Sequence, residues 1–264
     1  MYATKYHRPS SLDAANAALS GADDGKLLSG GQTLLPTMKQ HLAAPSDLID
    51  VRGIEGMTGI CMDGDVIVIG AATTHAEVAG NADVQRLCPA LASLAGGIGD
   101  PAVRHMGTIG GSVANNDPAA DYPAGLTALG ATVVTNKREI GADDFFTGLF
   151  TTALDDDEII TTVRIPATAQ AAYIKFRQAA SLYALVGVFV AQHASGARVA
   201  VTGSGDDGVF RHAEMEAALN GNWNASALDG IAVSSDGLMS DIHGSAAYRA
   251  NLIKVMAKRA VEAC

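Results

Sequence analysis

Two short stretches carry the residue types best suited to gripping an anion without charged side chains. LLSGGQTLLPTMK, over Leu27–Lys39, sets Ser29, Gly30, Gly31, Gln32 and Thr33 ahead of a helix-like run. Gly107-Thr108-Ile109-Gly110-Gly111-Ser112 repeats the recipe, with small residues, hydroxyls beside the glycines and no acid. Glycine lets a backbone approach a ligand closely, and the first N–H groups of a helix have no intrahelical acceptor. Two such loops in one chain suit a pyrophosphate. Neither holds Lys or Arg before Lys39, so negative charge must be met by N–H groups and hydroxyls, which fits cofactor cradling better than phosphoryl transfer. Either glycine pair taken alone reads more readily as a tight turn packed on a helix.

Other constellations are weaker. Gly203-Ser204-Gly205-Asp206-Asp207-Gly208 matches GxGxxG between strand-like ARVAVT and helix-like HAEMEAAL. Its two aspartates would face a pyrophosphate, and the polar NGNWNAS follows where an apolar strand ending in a ribose-binding acid is needed, so it is read as a turn. His75-Ala76-Glu77 and His212-Ala213-Glu214 copy the HxE of zinc deaminases without PCxxC, and are read as helix starts, Thr74 and Glu77 forming a capping box. There is no GxSxG elbow and no GxxxxGK[ST] loop. Asp117 and Asp121 in NNDPAAD could be paired carboxylates. Asp before Pro starts turns, however, and Asp121 reads equally as a cap for a helix beginning at Tyr122 or as a ligand contact.

Composition bounds the rest. A chain of 264 residues is read as two domains. With 18 Lys+Arg against 28 Asp+Glu, the formal charge of −10 disfavours nucleic acid and anionic membrane surfaces as partners. Cys61, Cys88 and Cys264 form no CxxC pair, so no disulfide framework, zinc site or iron–sulfur site is encoded. No signal-peptide core and no membrane-length apolar run is present, so a cytoplasmic location without membrane insertion is expected.

The elements that must position these residues follow from periodicity. Lys26–Ser29 reads as a strand, and Leu34, Leu35, Met38, His41 and Leu42 as a helix with Pro36 in its first turn. Asp65–Ala71 is a strand, and Val84, Leu87, Cys88, Leu91, Leu94 and Ala95 mark one amphipathic helix. The glycine-dense segment from Gly96 to Ala124 reads as a long functional loop. Ala131–Thr135 and Glu158–Pro166 are strands, and residues 167–171 form the seam between domains. Beyond it, YALVGVFVA and ARVAVTG form an antiparallel pair around HASG, and Leu252, Val255 and Met256 lie on a closing helix.

Four ordered motifs, LLSGGQTLLPTMKQHLAAPSDLIDV, IGDPAVRHMGTIGGSVANNDPAAD, FFTGLFTTALDDDEIITTVRIP and YIKFRQAASLYALVGVFVA, resemble the flavin subunit of the molybdenum hydroxylases, the xanthine dehydrogenase family. Within it they most resemble the carbon monoxide dehydrogenase medium chains. The resemblance runs through about residue 205 and more weakly to the end. It implies an α+β fold: a vanillyl-alcohol-oxidase-type (PCMH-like) FAD-binding domain over 1–168, with two α+β subdomains of about 1–53 and 54–168, then a small α/β domain over 169–264.

The same resemblance implies a noncovalent FAD in this chain and a molybdenum cofactor and iron–sulfur clusters on partners. Those partners are a large molybdenum-binding subunit and a small iron–sulfur subunit, arranged as a dimer of heterotrimers. This chain would relay electrons from the clusters to an external acceptor, with no catalytic or metal-binding residue of its own. Carried over by position, Ser29, Gly30, Gly31, Gln32, Thr33 and Leu34 would form one pyrophosphate loop. Thr108, Ile109, Gly110, Gly111 and Ser112, with Asn115 behind them, would form the other. Asp121 would lie near the ribityl chain, Ile160 at the isoalloxazine edge, and Lys175 and Tyr183 on segments reaching the ring. From the residues alone, Ile160 and Tyr183 read as packing positions. Ser181-Leu182 and His105-Met106 stand where relatives carry Gly-Asp and Asn-Arg, which opens the questions of flavin potential and acceptor. A freestanding flavin reductase and a non-catalytic anion-binding scaffold are the alternatives.

Overall fold

The structure, a computed structural model, describes residues 1–264. Its first layer is a three-stranded parallel sheet with Asp47–Asp50 between Lys5–His7 and Gly25–Leu28. Parallel neighbours need crossovers, supplied by the helices Leu12–Ser20 and Leu34–Lys39. The second crossover matters for function. The chain leaves Leu28, turns through Ser29–Thr33 with Gly31 at φ +69°, and enters the helix at Leu34. Pro36 is tolerated in that first turn, and Met38 packs back on Leu28 and Leu48.

A five-stranded antiparallel sheet follows, in the order Ile60–Asp63, Val66–Gly70, Ile160–Pro166, Thr132–Thr135, Glu139–Gly141. Its central strand returns from far along the chain, and the intervening segment is mostly helical. Two expectations are corrected here. The single helix across Val84–Ala95 is two, Ala82–Leu87 and Pro89–Gly96, with Cys88 at φ −148°. Pro89 has no N–H to continue the first helix and drives its predecessor out of the α region. The long loop from Gly96 is also structured, holding the short helices Pro101–Arg104 and Ile109–Asn115 before Tyr122–Leu129 begins. Asp100 and Thr108 cap the two short ones, accepting from the N–H groups of Val103 and Gly111.

A four-stranded antiparallel sheet, Ala171–Arg177, Ala184–His193, Gly196–Thr202 and Phe210–Arg211, completes the strand layers with the hairpin expected at HASG. Its long strand is buried on both faces, which explains the unbroken apolar run. Phe189 and Ala191 join the large core shared with the five-stranded sheet, while Val186, Val188 and Val190 face a second core under the helix Ala246–Glu262. Leu252 and Met256 of that helix are buried there, and Val255 packs at the margin. The GSGDDG segment is a turn, as read: it leads into the strand Phe210–Arg211 rather than a helix, with Gly203 at φ +83° and Gly208 at φ +98°. No helix is long and apolar enough to cross a membrane.

Candidate functional site

The two glycine loops meet. Ser29 Oγ and Thr108 Oγ1 share a hydrogen bond of 2.9 Å across 79 residues of chain. A Cβ on Gly30 would stand 2.3 Å from the Met106 carbonyl oxygen and 2.7 Å from Gly107 Cα, so only glycine lets the first loop lie on the second. Gly110 is under a similar constraint, since a Cβ there would be 2.6 Å from Ala71 Cβ and 2.7 Å from the Ala71 carbonyl oxygen. These are backbone contacts that cannot swing aside.

The loops are not equivalent donors. No N–H from Ser29 to Thr33 has an acceptor within the chain. In the second loop, by contrast, the N–H groups of Ile109 and Gly110 donate to the Thr73 and Ala71 carbonyls at 3.0 and 2.8 Å. Those of Gly111 and Ser112 go to Thr108 Oγ1 at 3.2 Å and the Thr108 carbonyl at 3.1 Å. The expectation of two equal amide cradles is therefore corrected. The first loop holds the open row of amides, and the second offers hydroxyls, a close-packed floor and the Thr108 N–H. The Ile109 N–H is taken by the antiparallel bridge between Thr74 and Thr108 and that of Gly110 by the Ala71 carbonyl, long-range contacts with no local signature, while Gly111 and Ser112 are satisfied locally by Thr108.

Both loops border one cavity of about 700 Å³, within the roughly 300–1,000 Å³ usual for small-molecule sites. Of the expected residues, Ser29, Gly30, Gly31, Gln32, Thr33 and Leu34 line it, with Thr108, Gly110, Gly111, Ser112, Asn115, Asp121, Ile160 and Tyr183. Ile109 does not; it is fully buried in the large core. Lys175 does not border the cavity either. Gly107, which opens the second glycine cluster, lines it as well, and lining residues that the sequence reading missed include Lys26, Met57, His75, Ile98, Val103, Leu154, Glu158, Ile159 and Leu182. Met57, Ile98, Val103, Leu154 and Ile159 add apolar wall beside Ile160. They come from three well-separated stretches of chain, around residues 57, 98–103 and 154–159, so only the tertiary fold gathers them.

Asp121 resolves its two readings. Its backbone is already helical and its side chain caps nothing, so the cap reading is overturned. The carboxylate, buried at the cavity wall, instead accepts from the Tyr173 hydroxyl and from Lys175 Nζ at 2.8 Å. Burial raises its pKa, while Lys175 and Tyr173 act in the opposite sense. Gly187 makes the arrangement possible, because a Cβ there would lie 2.3 Å from the Tyr173 hydroxyl. Lys175 is thus engaged by Asp121, an ion pair joining the start of the helix Tyr122–Leu129 to the strand Ala171–Arg177. Asp117 forms the turn expected before Pro118, accepting from the Ala119 N–H at 2.8 Å, and burial raises its pKa.

At another part of the wall, Glu158 accepts from Arg138 Nε and Nη2, from Thr135 Oγ1 and from the Asp155 N–H. Arg138 chiefly holds its pKa down at about 2, against burial. The strand begins at Ile160 rather than at the expected Glu158. Tyr183 stands half-exposed at the cavity, next to Leu182 at φ +63°. The amides without acceptor, the absence of acid from either loop and the apolar wall fit FAD, whose diphosphate needs donors and whose ring needs apolar contact.

Comparison with known proteins agrees. A family model described as the FAD binding domain in molybdopterin dehydrogenase matches residues 2–168. The nicotine 6-hydroxylase medium subunit of Paenarthrobacter nicotinovorans is 35% identical, over 98% of this chain and 96% of that one. The carbon monoxide dehydrogenase medium chain of Hydrogenophaga pseudoflava is 34% identical over the same shares. A solved structure of carbon monoxide dehydrogenase from Hydrogenophaga pseudoflava, lacking the Mo-pyranopterin moiety of its cofactor, superposes with a TM-score of 0.91 at 36% identity, covering 98% of this chain and 96% of that one. The chain belongs to the FAD-binding medium subunits of the molybdenum hydroxylase family. It is the FAD-containing part of a molybdenum-dependent oxidoreductase.

Proposed function

We propose that this chain is the electron-relaying medium subunit of a heterotrimeric molybdenum hydroxylase. Electrons arrive from iron–sulfur clusters on a small subunit and leave to an external acceptor, while a large subunit binds the molybdenum cofactor and the substrate. Bound FAD supplies a carrier able to exchange electrons in ones and twos. The chain's own residues bind and orient it. Ser29–Thr33 receive the diphosphate on their open amides, and the hydroxyls of Thr108 and Ser112 close the other side. Asp121 stands toward the ribityl chain, and Ile160 and Tyr183 border the isoalloxazine ring. Lys175 acts through Asp121, holding that carboxylate in place.

The observation that carries this reading is the row of unpaired amides on a glycine loop that holds no carboxylate and borders the cavity. Support for a relay role comes from the relatives: subunits of the same kind serve a nicotine 6-hydroxylase, carbon monoxide dehydrogenases and a glyceraldehyde dehydrogenase. Substrate choice is then a property of another chain. Cys61, Cys88 and Cys264 are scattered, which agrees with cluster ligands on a partner. In this reading residues 1–168 form the vanillyl-alcohol-oxidase-type domain, divided near residue 53, and residues 169–264 the second domain. The assembly is a dimer of heterotrimers.

Affinity purification of the native complex tests the relay. Large and small chains carrying molybdenum and iron should copurify, and substrate should reduce the flavin in the complex but not in this chain alone. Flavin reduction by substrate in the isolated chain would favour the freestanding reductase instead.

A further inference from the structure

His75 is not among the residues assigned to the flavin, yet its ring borders the cavity while only 4% of the residue is exposed. It opens the helix His75–Gly80, whose first turn is fixed by the Thr74–Glu77 capping box. Its N–H donates to the Gly107 carbonyl at 3.0 Å, clamping this backbone to the second loop. Nδ1 is sealed off without a hydrogen-bond partner. That leaves Nε2 as the nitrogen facing the cavity, 2.7 Å from where a Cβ on Gly107 would stand. Gly107 Cα lies in turn 2.7 Å from the place of a Cβ on Gly30. Imidazole, second loop and first loop are therefore stacked, with glycines keeping the approach open.

Resting on the placement of FAD above, we propose that His75 is a ligand of the dinucleotide's diphosphate, donating a hydrogen bond from Nε2 into the pocket. The tautomer follows from burial. A sealed donor without an acceptor is a rarer and costlier state than a sealed acceptor without a donor, so the proton belongs on Nε2 and the lone pair on Nδ1. Burial and, secondarily, Arg104 lower the pKa to about 4. The ring is thus neutral at pH 7, and what it adds to the amide row is a directed donor rather than charge. A histidine that only packs, against Tyr122 with ring centroids 5.4 Å apart, would serve any ligand equally.

Titration of the apo chain with FAD and with riboflavin, which lacks phosphate, separates these roles. His75→Leu should weaken FAD binding roughly tenfold or more, the worth of a hydrogen bond to a charged group, and leave riboflavin unchanged. His75→Gln, which keeps a donor near the Nε2 position, should recover most of the loss. Equal weakening toward both ligands, or no weakening toward FAD, overturns the assignment. In the parent chain labelled with 15N-histidine, FAD should move the His75 Nε2 resonance and riboflavin should not, a readout that survives a misfolded variant. A parallel Gly31→Asp chain marks the underlying reading. If it loses FAD while His75→Leu does not, only His75 is excluded; if it keeps FAD, the diphosphate lies elsewhere and both fall.

Discussion

At the scale of the residue, function rests on atoms that are missing. Gly30 and Gly110 are held by backbone contacts rather than by turn geometry alone, so Gly30→Ala should prevent the loops from seating. Overpacking of this kind costs about 1–3 kcal/mol, and FAD content of the purified variant should fall along with its melting temperature. Lys175→Met is expected to behave differently. It leaves Asp121 buried without its cation, a loss of about 3–5 kcal/mol in buried pairs, so thermal unfolding should register the change even in the apo chain. If apo stability is untouched and only flavin binding falls, Lys175 contacts the ring directly. The glycine pairs were visible in the sequence as residue types in the right company. Their partners were not, because nothing local ties Gly30 to Met106 or Asp121 to Lys175, whose bond spans 54 residues.

At the scale of the element, the legible features were those whose causes are local. The Thr74–Glu77 capping box forms from both sides, with the Thr74 N–H donating to Glu77 at 2.8 Å and the Glu77 N–H to Thr74 at 3.2 Å. His212 likewise starts a helix, accepting from the Met215 N–H at 3.4 Å. The helix Ile109–Asn115 was missed because seven residues are too few to show a 3.6-residue repeat. The turn carrying Tyr183 makes its own prediction. Leu182 adopts φ +63°, a conformation that costs non-glycine residues about 1–2 kcal/mol. Leu182→Gly should therefore raise stability in denaturant melts, to the extent that the added unfolded-state freedom of glycine does not offset the relief. A clear destabilisation, several-fold in the unfolding constant, would mean that the leucine side chain anchors the turn.

At the scale of the whole molecule, the first two sheets and the turn before the long strand of the third border the cavity, and buried acids tie separate segments together within each of the first two layers. Glu158 is depressed from 4.5 to about 2, chiefly by Arg138 working against burial. Asp50 is depressed from 3.8 to about 2, where burial opposes the hydrogen bonds from Arg52 and Tyr6. A carboxylate whose folded pKa is lowered adds stability above its unfolded pKa and loses it as pH falls toward the folded value. Denaturant midpoints should accordingly decline as pH falls from about 4.5 to about 2, with a shallower decline in Glu158→Gln. Most strands were legible from their apolar patterns, and the resemblance to a family named the cofactor. The difference between an open amide row and an occupied one needed the assembled backbone.

The most direct measurement is the flavin itself. Heat-released chromophore from the purified chain, identified by mass and counted per chain, should be FAD near one equivalent. The Gly31→Asp chain, folded by circular dichroism, should hold at least tenfold less, because a side chain at φ +69° that meets Leu35 Cδ1 at 2.9 Å would displace the loop carrying the open amides. A folded Gly31→Asp chain that retains FAD as the parent does would contradict the account.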